Sequence, residues 1–474
     1  MKPLCKAEFF ERLLGSMIEF TDRSRRSMLR LGAMGLGGSV FSLPQFLAAK
    51  SLHPGLVKDR SVVFLFMHGG PSQTETFDPK MDQPTGIRSA TGDVSTSLPG
   101  VHFGGSFPKL ARLAHKLAIV RSFTTGTGAH DIKPIVGTNS LGANIGSLYS
   151  RVAGINDPIT GLPRNLALYP KAVDPEAMPM IKKFGDFASA GPLGAAYAPY
   201  EVGEGGSMQE DMTLRMARDR FEDRRALLQD LDQAKRKLDS GGAENMTEFQ
   251  AQAFDMILGG ISDAFDLKKE DPKTVARYDT AALVHPDRIR RKWNNHQRYR
   301  DHGQSIGKLL LLARRLCERG AGFVTVTTNF VWDMHADKNN ATMTEGMEYV
   351  AAPFDHAVST FIEDVEARGL SEKILLVCCG EMGRNPVINK NGGRDHWGKL
   401  APLMLYGGGL KTGQVIGQSD KKGGEPDSNP VKMENLTSTI LHSLLDPGEV
   451  RLVDGLSADV VNAMTSPIPI RELM

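Results

Sequence analysis

At 474 residues, with 57 Lys and Arg against 55 Asp and Glu, the chain carries a formal net charge of only +2. That balance leaves no electrostatic footprint for a nucleic acid, and four cysteines in a chain of this length argue against a disulfide framework. Beyond the N-terminal region no apolar run approaches the roughly 20 residues of a membrane span.

The first feature in chain order is Ser24-Arg25-Arg26-Ser27-Met28-Leu29-Arg30, two adjacent arginines followed by a Gly-rich apolar stretch over 31–49 that ends Phe46-Leu47-Ala48-Ala49. Basic region, apolar region and small residues in that order form a secretory signal. The paired arginines are the address read by the twin-arginine translocase. Pro44 and four glycines within 31–49 weaken the stretch as a spanning helix. The plainer alternative is a buried helix that follows a basic surface. Residues 1–49 are thus expected to act as a signal peptide cleaved near Ala49, giving a periplasmic or secreted protein with no stable membrane span. Removing them leaves 50 basic against 51 acidic residues, a net of −1, and three cysteines: Cys317, Cys378 and Cys379. Cys378 and Cys379 are neighbours in an apolar run, so on a strand they point to opposite faces and read as core.

Five short apolar runs follow, at 62–67, 117–120, 323–327, 374–379 and 403–406. As a set they lack the regular apolar and charged alternation of a half-exposed sheet, as suits strands of a parallel sheet covered on both faces. Between them lie helical patterns. Ile306, Leu309, Leu310, Ala313, Leu316 and Cys317 share a face ahead of Gly320, and Ala351, Phe354, Val358, Phe361, Ile362 and Val365 share one ahead of Gly369. Each helix leads into a strand. The expected fold class is therefore α/β: a doubly wound, mostly parallel sheet flanked by helices, within one domain over 60–474. Residues 205–300 are highly charged and helix-favouring and read as a helical insertion. The Gly- and Pro-rich stretch 421–430 reads as an exposed loop, and Gly407-Gly408-Gly409 as a tight turn, since no P-loop Lys follows. His302, His356 and His442 lie in helical surroundings and read as packing or surface residues.

The chemistry gathers after the strands. His68-Gly69-Gly70-Pro71-Ser72-Gln73 follows the first; Arg121 to Asp131, containing Thr124, Thr125, Thr127 and His130, follows the second. Trp332-Asp333-Met334-His335 follows the third. Gly380-Glu381-Met382-Gly383-Arg384 and then Gly392-Gly393-Arg394-Asp395-His396-Trp397 follow the fourth. Ligand sites of open α/β sheets lie beyond the carboxyl ends of the strands, so four strands deliver His, Asp, Glu and Arg to one edge. A His and carboxylate mixture suits a divalent transition metal, Zn or Mn, as one or two ions. The candidate ligands are His68, Asp333, His335, Glu381, Asp395 and His396, with an oxyanion donor or a loop strut as the other readings of His68. Asp333 and His335 flank one residue and face one side of an extended backbone; Asp395 and His396 suit a loop in which neighbours turn inward. Buried hydrogen-bonded pairs are the competing reading of both. Arg384 and Arg394 are candidate clamps for substrate oxygens, or, for Arg384, a brace paired with Glu381. Ser122, Thr124, Thr125 and Thr127 are candidate nucleophiles, or parts of a polar Gly-rich turn.

These blocks, with Phe77-Asp78-Pro79-Lys80, resemble the family labelled domain of unknown function 1501, from about residue 62 to the C-terminus. That family is similar in fold to the alkaline phosphatase and sulfatase superfamily, so the resemblance implies an alkaline phosphatase-like fold and a metal-dependent phosphate- or sulfate-ester hydrolase. Two departures accompany it: His68 and Glu381 stand where the superfamily places Asp and Asp-His. The pattern that matures a formylglycine sulfatase is missing after Cys317 and Cys378.

The expected function is an exported metallohydrolase acting on a small-molecule or polysaccharide ester through activated water or Thr. The alternative is a non-catalytic binding or assembly module with a structural metal or none. Replacing Arg25 and Arg26 together by Lys is expected to strand the uncleaved precursor in the cytoplasm. Cell fractionation checks this, and unimpaired secretion would refute the address.

Overall fold

Strand β1 (Ser61–Phe66) is apolar on both sides, and the molecule is arranged to cover both. The computed structural model describes residues 55–203 and 262–474. Within it β1, β2 (Leu117–Val120), β3 (Asn165–Leu168), β4 (Tyr200–Val202), β5 (Phe323–Thr327), β6 (Ile374–Cys379), β7 (Leu403–Gly407) and β8 (Gln414–Ile416) form one sheet. Their order is β8-β2-β7-β6-β1-β5-β3-β4. Parallel register runs from Val62↔Phe323 to Phe66↔Thr327 on one side of β1 and from Ser61↔Ile374 to Phe66↔Cys379 on the other. The sheet is mostly parallel and helix-flanked, as its buried apolar runs predict.

The run at 403–406 departs from that expectation. β7 lies antiparallel to both β6 and β2. The cause is its connection. Between β6 and β7 the chain forms only a hairpin, Gly383–Ile388 with Arg394–Trp397, with no crossover helix. Return without a crossover from the edge where β6 ends makes the next strand run backwards. The short strands β3, β4 and β8 add to the five that the apolar runs predict.

Side chains alternate from face to face along each strand. Val63, Leu65, Leu376 and Cys378 face one apolar cluster, together with the long helices α2 (His296–Glu318) and α3 (Met343–Ala367). Val62, Phe64, Phe66, Val377 and Cys379 face the other, which is closed by α1 (Ile145–Ala153) and α4 (Met433–Leu444). Cys378 and Cys379 thus belong to opposite layers.

The signal at 1–49 and residues 204–261 of the charged segment lie outside the described residues. From 262 onward that segment consists of short helical turns, Ser262–Phe265 and Pro272–Arg277, before α2 begins at His296. Buried Arg314 of α2 binds Glu270 at 2.7 Å and Asp364 of α3 at 3.0 Å, tying that stretch to both helices. The stretch 421–430 is exposed only in part. Lys421 and Lys422 face solvent, but Gly423 and Gly424 are buried, and their carbonyls accept hydrogen bonds from Gln73 and Trp397. His302 packs in the core, bonded to Thr328 and the Val350 carbonyl. No helix among the described residues is long and apolar enough to cross a membrane.

Burial pushes the Cys317 thiol up to about 12 and raises Cys378 and Cys379 above the usual thiol range. Thiolate is the reactive form. Cys317, Cys378 and Cys379 are therefore expected to resist a colorimetric thiol reagent in the native protein and to react together on unfolding; rapid labelling of the native state would contradict this packing.

Candidate metal centre

Beyond the carboxyl ends of β1, β2, β5 and β6 the loops converge on one carboxylate. Asp333 is 3% exposed. Its Oδ1 accepts from Arg384 Nη2 at 2.7 Å and lies 3.3 Å from His396 Nε2. Its Oδ2 accepts from Asn340 Nδ2 at 2.9 Å and lies 3.2 Å from His335 Nε2 and 3.3 Å from His130 Nε2. Burial alone would raise the carboxyl pKa, but the Arg384 charge and the bonds to His130, His335 and His396 hold it well below the usual range.

Local structure sets these contacts. In the hairpin, Arg384 and His396 are directly opposite, so both side chains project from one face to the same oxygen of Asp333. The turn after β1 brings its backbone against the Asp333 segment. A Cβ on Gly69, at φ +115°, would lie 2.5 Å from the Asp333 nitrogen, so only glycine fits. The Gly69 N–H donates to both oxygens of Glu381, at 2.9 and 3.1 Å. Glu381 Oε1 is in turn 3.0 Å from His130 Nδ1. A carboxylate behind a histidine, with the other ring nitrogen facing the centre, is the arrangement that orients a metal-binding imidazole.

The hydrogen-bond pattern calls for a positive charge at the centre, as a proton or a metal ion. His396 Nδ1 lies 3.0 Å from the Gly128 carbonyl and so carries a proton, which in the neutral ring leaves Nε2 as a lone pair aimed at carboxylate oxygen. His130 stands between two carboxylates and has the same conflict. Two acceptors face each other stably only with a proton or a metal ion between them. Burial lowers the His130 pKa, but its bonds to Asp333 and Glu381 outweigh that and raise it; the bond to Asp333 also raises His335. His130, Asp333 and His396 offer ligand atoms all within 4.8 Å of one another. Two imidazoles and a carboxylate are a donor set that suits a divalent transition ion. His335 and His396, with side chains 26% and 32% exposed, form the solvent side.

The predicted residues divide on this geometry. Asp333, His335 and His396 meet, and Glu381 stands behind His130 rather than at the centre. Asp395 does not join them. It lies on a strand, not a loop, so it points opposite to its neighbour His396; it is exposed and accepts from Asn389 Nδ2 at 2.9 Å. His68 is buried in an aromatic cage, and neither ring nitrogen touches the carboxylate. Burial lowers its pKa to about 4.

Neither arginine is a free clamp. Arg384 is 0% exposed, and its nitrogens serve the Gly69, Gly70 and Arg394 carbonyls as well as Asp333. Arg394 is equally buried; it pairs with Glu75 at 2.9 and 3.0 Å and donates to the Pro386, Ile87 and Arg88 carbonyls. Thr124 sits on the short strand Phe123–Thr124. Thr125 Oγ1 lies 3.4 Å from the Thr127 carbonyl, and Thr127 Oγ1 accepts from Ala129 N. No hydrogen bond among the described residues links these three hydroxyls to the cluster. His130 is the residue missing from the sequence-predicted set. Its signal was its place at the end of the Gly-rich run after 117–120, the same edge that supplies the other ligands.

Residues 59–452 match the family model described as "Protein of unknown function (DUF1501)". No curated protein matches the sequence. Among solved structures, the chain is similar to the PsFucS1 sulfatase from Pseudoalteromonas sp., at 10% identity and a TM-score of 0.36, covering 94% of this chain and 77% of that one. It is similar to the phosphonate monoester hydrolase SpPMH from Silicibacter pomeroyi, at 11% identity and a TM-score of 0.34, covering 86% and 77%. It is also similar to the C-terminal periplasmic domain of EcEptC from Escherichia coli in complex with Zn, at 9% identity and a TM-score of 0.33, covering 84% and 89%.

The Arg394–Glu75 pair is read as structural. Glu75→Gln leaves a buried guanidinium without its anion and is expected to cost about 3–5 kcal/mol in denaturant unfolding, while metal content per folded molecule stays unchanged. A stable variant that loses metal would reverse this assignment.

Proposed function

Given that this chain belongs to the DUF1501 family, we propose that it is an exported, metal-dependent hydrolase of phosphate or sulfate esters with an alkaline phosphatase-like fold. One observation carries the reading: His130 and His396 present ring nitrogens to the buried Asp333 carboxylate, with ligand atoms close enough together to share one metal ion. His130, Asp333 and His396 would hold a divalent ion of the Zn or Mn class, with His335 at the open side. Such an ion supplies Lewis acidity toward an ester oxygen and a lowered pKa for water.

The chain's own residues do the rest. Glu381 fixes the His130 ring through Nδ1, and Gly128 fixes His396 through its Nδ1. Arg384 orients Asp333 and balances its charge, so it acts as a positioning residue. His335 is hydrogen-bonded to Asp333 through Nε2, and its partly exposed ring borders the solvent side from which an ester would approach. With no Thr hydroxyl bonded to the cluster, water is the favoured nucleophile. The same facts favour a second reading, a non-catalytic module built around the ion, because both arginines are fully engaged and no hydroxyl among the described residues is bonded to the cluster. Export by the twin-arginine route and a polysaccharide or small-molecule ester as substrate complete the proposal.

Purified protein is expected to bind about one zinc ion per chain, with Asp333→Asn and His396→Ala abolishing tight binding and Glu381→Gln weakening it about 10–100-fold. Calorimetric titration and elemental analysis check this. Hydrolysis of para-nitrophenyl phosphate or sulfate should be lost with the metal. Activity indifferent to chelators would refute the hydrolase mechanism, and metal binding without activity on any ester would leave the second reading.

A further inference from the structure

One polar side chain beside the centre is left without a task. His68 is 1% exposed, and both of its ring nitrogens lack a hydrogen-bond partner among the described residues. Phenylalanine rings surround it edge-on: Phe330 at 5.0 Å, Phe187 at 5.7 Å, Phe66 at 5.8 Å and Phe184 at 6.1 Å between centroids. Burying an unpaired imidazole in such a cage is costlier than burying an apolar ring of similar shape. Packing therefore gives no reason for a histidine here.

Its location supplies one. The Phe184 and Phe330 rings are stacked at 4.9 Å, and the same two rings lie against His130, at 5.0 and 4.6 Å. The His68 carbonyl accepts from the Val331 and Trp332 N–H groups, which lead directly to Asp333. Phe184 is only half-buried and belongs to a segment without regular structure. Beside it opens a groove of about 650 Å³ lined by Ile132, Val136, Leu141 and Gly185, among others, large enough to receive a benzyl side chain.

We propose that His68 is a substrate-binding residue sheltered by Phe184, and that when Phe184 swings into the adjoining groove the imidazole hydrogen-bonds a phosphoryl or sulfuryl oxygen at the His130–Asp333–His396 centre. This rests on the reading of that centre as an ester-binding metal site. A residue kept for binding at the expense of packing has a signature that a structural residue lacks: its apolar replacement stabilises the fold and weakens the ligand.

Two variants test it. In zinc-loaded protein, His68→Phe is expected to raise the melting temperature and to weaken inorganic phosphate binding about tenfold, the worth of one hydrogen bond, with zinc stoichiometry unchanged. Phe184→Ala is expected to speed diethylpyrocarbonate labelling of His68, read by peptide mass spectrometry. That second readout needs no metal, so absence of zinc would overturn the preceding reading while labelling still decides whether Phe184 shelters His68. A lower melting temperature with unchanged phosphate affinity, or equal labelling with and without Phe184, overturns the proposal.

Discussion

The arrangement beyond the sheet depends on keeping one carboxylate ionised in a buried place. Removing Asp333 from water favours its neutral form, and the Arg384 guanidinium together with three imidazoles reverses that preference. Arg384 is itself fixed by backbone carbonyls of Gly69 and Gly70. The turn after β1, the hairpin after β6 and the loop after β5 are therefore locked together by hydrogen bonds to one charged pair. A shift in any of these would disturb the Arg384–Asp333 contact at the centre.

The sheet makes that convergence possible. Neighbouring parallel strands end at the same edge, so β1, β5 and β6 bring their following loops side by side without long excursions. β2 joins from across the antiparallel strand β7, with its own direction preserved. The reversal of β7 is part of the same design, because the hairpin that replaces a crossover helix is the element that carries Arg384 and His396.

The charges divide between two jobs. Arg384 neutralises the centre, whereas Arg394 and Glu75 form a buried pair that holds the hairpin against the helix Gln73–Thr76. Glu75 also accepts from Ser89 Oγ at 2.8 Å and Ala90 N at 2.9 Å. Buried ion pairs earn their place through complete hydrogen bonding rather than bare attraction, and both pairs have it. His68 is the contrasting case, a buried ring whose nitrogens bond no group among the described residues.

Much was legible in the sequence because it depends on local pattern. Uninterrupted apolar runs identified the buried strands, helical periodicity ending at Gly320 and Gly369 identified α2 and α3, and neighbouring cysteines in a strand had to divide between the two layers. The rule that chemistry collects at the carboxyl edge placed Asp333, His335, Glu381 and His396 in one region. What remained hidden was direction. Whether Asp395 sits on a loop or a strand decides which way it points, and the pairing of Arg384 with His396 settles that. Whether an arginine is free depends on partners as distant in sequence as Glu75 is from Arg394. The role of His130 depends on Glu381, more than 200 residues away, because a side chain's chemistry is set by the atoms packed against it and only the folded chain brings those atoms together.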